Sequence, residues 1–75
     1  MTGDTLRVYV NAKPVDAPAS ATVLDAVERA DPVLAAGVRS GDQAVMDSRG
    51  LPIDADAPLH GGAIFRVIAV RRRDS

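Results

Sequence analysis

One segment near the C-terminal end limits the fold more than any other. Ala63-Ile64-Phe65-Arg66-Val67-Ile68-Ala69-Val70-Arg71 is almost wholly apolar and rich in β-branched side chains, with Arg66 alone interrupting it before Arg71. Such a run reads as a central strand, covered at least partly on both faces. A chain of 75 residues makes one domain, 1–75. A domain of that size buries roughly 60–65% of the surface its unfolded form exposes. The remaining elements must therefore pack around this one strand.

The opening run Leu6-Arg7-Val8-Tyr9-Val10 alternates strictly, which predicts a half-buried strand with Leu6, Val8 and Val10 inward. Asn11-Ala12-Lys13-Pro14 supplies turn chemistry. A short partner strand around Val15-Asp16-Ala17 follows, and Pro14 and Pro18 place it at a sheet edge. Thr22 is then a good N-cap, with Asp25 three residues on near the positive end of the helix dipole. Val23, Ala26, Val27 and Ala30 form a narrow apolar stripe that suits a helix lying on a sheet. Asp31-Pro32 stops that helix and can cap a second, one- to two-turn helix ending at Gly37. A third strand is expected over Gln43–Asp47, and a short fourth edge strand over Leu51–Ile53 after the reversal at Ser48-Arg49-Gly50. Residues 57–62 are loop, with Gly62 supplying a positive φ before the last strand.

These elements predict an α+β fold: a mixed four- to five-stranded sheet covered on one face by one main helix. The economical closure sets the last strand parallel to the first in the middle of the sheet.

Composition removes whole classes of function. The sequence has no cysteine, so disulfides, thiolate catalysis, zinc fingers and cysteine-ligated clusters are excluded. His60 is the single histidine and reads as a surface turn residue. Asp54-Ala55-Asp56 reads as a solvated turn, because it has neither the glycine nor the distant glutamate of a calcium loop. No catalytic residue, metal or cofactor is expected, and the chain reads as a non-enzyme. Thr2, Gly3, Asp4 and Arg7 leave no apolar signal-peptide core near the start, so the expected location is cytoplasmic, with no membrane role. Of ten acidic residues only Asp74 lies beyond Phe65, whereas Arg66, Arg71, Arg72 and Arg73 all do. The body is acidic and the tail, Arg71 to Ser75, basic. Tyr9 and Phe65 are the only aromatic residues, too few for a nucleic-acid stacking platform.

In this order the elements resemble a bacterial-type, ubiquitin-like β-grasp protein of the ThiS/MoaD kind. Val10-Asn11-Ala12-Lys13-Pro14-Val15 is similar to that family's first hairpin. Ser20-Ala21-Thr22-Val23-Leu24-Asp25-Ala26-Val27 resembles the start of its helix, and Ala57-Pro58-Leu59-His60-Gly61-Gly62-Ala63-Ile64 its approach to the last strand. The family's terminal Gly-Gly is missing, and Asp74-Ser75 stand in its place. The resemblance implies partner binding through the open sheet face, with residues 71–75 as a flexible basic tail entering a partner's groove. It also leaves two other readings open. One is a sulfur carrier activated at its C-terminus by a ThiF-like enzyme. The other is a self-associating structural module, so the expected state is monomeric or weakly self-associating.

The alternation of the last strand locates the candidate face. With Phe65, Val67 and Ala69 toward the helix, Ile64, Arg66, Ile68 and Val70 turn to the open side. One of Val45 and Met46 joins them, with Tyr9 a further candidate, inside a rim of Arg7, Arg49 and Arg66. Met46, Arg66, Ile68 and Val70 are the expected partner contacts, Met46 because a flexible thioether suits a binding surface. The opposing expectation is a reversed register, or a patch covered by residues 32–37 and the loops.

Overall fold

The computed structural model describes residues 4–70. Arg71, Arg72, Arg73, Asp74 and Ser75, the expected tail, lie outside the described residues. Over the described residues the chain is α+β, with a four-stranded mixed sheet and two helices. β1 (Thr5–Val10) and β2 (Lys13–Pro18) form an antiparallel hairpin. α1 (Val23–Ala30) and α2 (Pro32–Ser40) follow, then β3 (Gln43–Met46) and β4 (Ile64–Ala69). The sheet order is β2-β1-β4-β3, so the most apolar strand is central and runs parallel to β1.

The hairpin turns on two residues, Asn11 and Ala12, with φ of 52° and 70°. Two consecutive positive φ values are what a type I′ turn requires, and that turn matches the twist of the strands it joins. Asn11 also links the hairpin to β4. Its N–H donates to the Phe65 carbonyl at 3.0 Å, and its Oδ1 accepts from the Val67 N–H at 2.9 Å. The side chain thus extends the parallel ladder by one rung after β1 has turned away.

α1 begins as expected and is capped more completely. Thr22 Oγ1 accepts from the Asp25 N–H at 3.3 Å, and Asp25 Oδ2 accepts from the Thr22 N–H at 3.0 Å, forming a capping box. The Val23 and Leu24 amides donate to the carbonyls of Ala57 and Ala55. No donor at this helix start is left for an anion. At the other end Lys13 Nζ donates to the Ala30 carbonyl at 2.9 Å, a cation at the negative pole of the helix. Val23, Ala26, Val27 and Ala30 are all buried.

Two expectations need correction. Gly37 does not end the second helix. α2 runs on to Ser40 and stops at Gly41, whose φ is 90°. A second helix as long as the first therefore shares the cover of the sheet, with α1 on β1 and β2 and α2 on β3. Gly37 sits mid-helix because α2 passes directly over β3 there, and a Cβ would collide with Gln43 Cγ. Gly37→Ala is accordingly expected to lower stability by about 1–2 kcal/mol, overpacking outweighing alanine's better helix propensity. With Gln43→Ala also present, the same change should raise stability by about 0.5–1 kcal/mol. Chemical denaturation of the four variants measures the coupling, and additivity would disprove the contact.

The second correction concerns Leu51–Ile53, which form no strand. Pro52 makes one bridge to Met46, held by the bonds Asp47 N–H to Leu51 O and Ile53 N–H to Val45 O, each 2.9 Å. Immediately afterwards the Ala57 N–H bonds to the Asp54 carbonyl, and the turn carries the chain off the sheet. The loop before β4 still contributes to the core. Leu59 is buried, and among the described residues it and Phe65 are the only buried core side chains larger than valine. Gly62 has the expected positive φ, 81°. Among the described residues no helix is long and apolar enough to cross a membrane.

Candidate functional site: the open face of the sheet

Both helices lie on one side of the sheet, so the register decides what the other side shows. In the β3–β4 pair Val45 opposes Val67, Met46 opposes Arg66 and Ala44 opposes Ile68. Directly opposed residues share a face. Val45 and Val67 are buried under the helices, which sends Met46, Arg66 and Ile68 to the open side. Alternation places Ile64 and Val70 with them. Across the parallel pair Tyr9 opposes Ile64.

The result is an apolar surface. Ile64 is 48% exposed, Ile68 44%, Val70 41% and Tyr9 36%, high values for side chains of this size in or beside a sheet. Met46 is half-buried between them. The four expected contacts, Met46, Arg66, Ile68 and Val70, are therefore brought to one face. Ile64 belongs with them and is the most exposed apolar side chain of β4. Its position on the alternating face was the signal that could have added it.

The rim of arginines differs from the expectation. Arg7 Nε donates to Asp16 Oδ1 at 2.9 Å and its Nη2 to Asp16 Oδ2 at 3.3 Å, across the β1–β2 pair. That bidentate bond holds the Asp16 carboxyl below its ordinary range and raises Arg7 further. Arg49 turns toward Asp47, with 3.4 Å between Nη2 and Oδ2. Arg66 forms no ion pair among the described residues and stands at mid-strand between Ile64 and Ile68. Among the described residues the face therefore has one uncommitted cation, and it is central.

Neither sheet edge competes with this face for a partner. On β2, Pro14 and Pro18 lack the N–H that an added strand needs. Beside β3 the Leu51–Ile53 segment already takes the Val45 carbonyl. Asp47 holds that segment in place: its Oδ1 accepts from the Arg49 N–H at 2.8 Å and the Leu51 N–H at 2.9 Å. The Leu51 amide above all, then the Arg49 amide and guanidinium, hold the Asp47 carboxyl below the usual carboxylate range. A carboxylate with a depressed folded-state pKa contributes stability above its unfolded value, near ~4, and loses that contribution as pH falls through the folded value. Asp47→Asn should therefore be less stable than the parent at pH 7, and the gap should close below about pH 4. Urea midpoints at pH 7 and pH 2.5 check this, and a gap independent of pH would mean the charge contributes nothing.

Comparison with protein-family models, with curated proteins and with solved structures finds no match to this chain.

Proposed function

We propose that this chain is a ubiquitin-like β-grasp domain acting as a non-enzymatic interaction module, which binds partner proteins through its open sheet face. The element order supports the fold reading. A first hairpin, a crossing helix, a last strand parallel to the first at the centre, and residues 51–53 beside β3 are together compatible with a β-grasp of four strands. The tail, Arg71 to Ser75, belongs to the proposal as a second point of contact with the partner.

One observation carries the functional reading. Apolar side chains cover the uncapped face around an uncommitted arginine, while both edges are blocked. Exposed apolar groups scattered singly need no explanation, but a contiguous set on one face marks an interaction surface.

A photo-crosslinking residue at position 68 tests the reading, with one at position 33 as the control. Val33 is 77% exposed, on α2. Discrete adducts are expected from position 68 alone. Excess unmodified protein should suppress them, and an Ile64→Asp variant should not. Equal adducts from both positions, or competition by the variant, would defeat the proposal.

A further inference from the structure

At the N-terminal end of β4 the open face runs into two depressions with a common wall of Ser48, Ile64 and Phe65. The larger, about 510 Å³, lies against the hairpin turn and Arg66. The smaller is about 340 Å³, with buried Val23 and Phe65 at its floor and exposed Arg49 and His60 at its mouth. We infer that this pair of depressions anchors the partner, which supplies a bulky apolar side chain to the smaller one and a carboxylate to Arg66 beside the larger. The inference deepens the interaction-module reading and rests on it.

Charge decides the occupant. Asp47 is the only anion in either lining, and its oxygens are already held by two amides and by Arg49. What remains to meet a ligand is Arg66, the His60 ring and the exposed rest of the Arg49 guanidinium, all suited to donate to a carboxylate. Size permits this: the smaller depression, about 340 Å³, lies at the low end for ligand clefts and exceeds the roughly 150 Å³ that suffices for a benzene-sized ring. A second copy of this chain fits poorly. An isologous contact centred on this face would set Arg66 against Arg66, because a two-fold axis brings its central residue to itself.

The 75-residue chain can be titrated with N-acetyl-phenylalanine, which carries the apolar side chain and the carboxylate, and with N-acetyl-phenylalaninamide, which lacks the charge. Amide chemical shifts are the readout. Saturating shifts at Ser48, His60, Ile64 and Phe65 are expected for the acid, with affinity in about the millimolar range for so small a ligand. The amide, and the acid on Arg66→Glu, should each bind at least tenfold more weakly. Ser48→Trp, at an exposed turn position, should block the site while leaving the spectrum folded. Equal binding of acid and amide, or shifts centred on α2, would overturn the anchor, as would no shift at tens of millimolar. The crosslink at position 68 separates the two readings. If Ser48→Trp competes there as well as the parent protein does, the anchor falls and the sheet-face reading survives.

Discussion

Asn11→Ala should lower the melting temperature by about 8–40 °C, although the residue lies in a surface turn. Two losses add. The Val67 N–H, on a strand buried under the helices, loses its acceptor, and an unsatisfied donor in such a place costs about 1–3 kcal/mol. Alanine must also adopt the left-handed φ of 52°, which costs about 1–2 kcal/mol. A total of about 2–5 kcal/mol is a large fraction of the stability of a domain this small, and each kcal/mol moves its midpoint by about 4–8 °C. Asn11→Asp keeps an oxygen acceptor and a residue that tolerates the left-handed region. It should stay within about 1 kcal/mol of the parent. Thermal unfolding followed by circular dichroism separates the variants. If Asn11→Asp falls as far as Asn11→Ala, the 2.9 Å bond to Val67 is not what ties the hairpin to the central strand.

Val67→Asp and Ile68→Asp should differ sharply although the two residues are neighbours. Val67 is 7% exposed and opposes buried Val45, so a carboxylate there is desolvated without a partner. The cost, about 3–5 kcal/mol or more, approaches the whole stability of a 75-residue domain. That variant is expected to be unfolded. Ile68 is 44% exposed on the open face, so Ile68→Asp should cost only about 1 kcal/mol, the size of strand preference. It should keep a dispersed amide spectrum and lose partner binding. A one-residue slip in β4 would exchange the two faces, so a folded Val67→Asp with an unfolded Ile68→Asp would reverse the placement of the site.

Much of this was legible before any coordinates, and particular residues show why. The strand faces followed from period-two alternation, and the buried stripe of α1 from spacings of three and four. Both are local patterns. Thr22, Asp31 and Pro32 announced helix boundaries because capping is settled within a few residues. Gly37 misled for the same reason. A glycine after a short apolar run signals a helix end locally, and nothing nearby in the chain reveals that Gln43 will lie beneath it. Leu51–Ile53 read as a strand because a tight reversal at Ser48-Arg49-Gly50 precedes it, yet a strand exists only where a ladder continues, and the Asp54 turn removes it after one bridge.

The candidate site divides in the same way. Alternation alone put Arg66, Ile68 and Val70 on a common face, but the choice between Val45 and Met46 needed the β3–β4 register. The arginine rim became a single central arginine because Asp16 and Asp47, each brought close by a turn, claim Arg7 and Arg49.

Residue order by itself determined which side chains of β1, α1 and β4 turn inward, where the helices start and which strand is central, since these depend on spacing and on neighbours a few positions away. Tertiary structure alone decided what lies across a gap in the chain. It set the Asn11 rung to Val67, 56 residues distant, the seat of α2 over β3, and the cleft beside Ile64. Such contacts are chosen by shape and by unpaired donors and acceptors meeting in space, and a pattern read along a single segment carries no term for either.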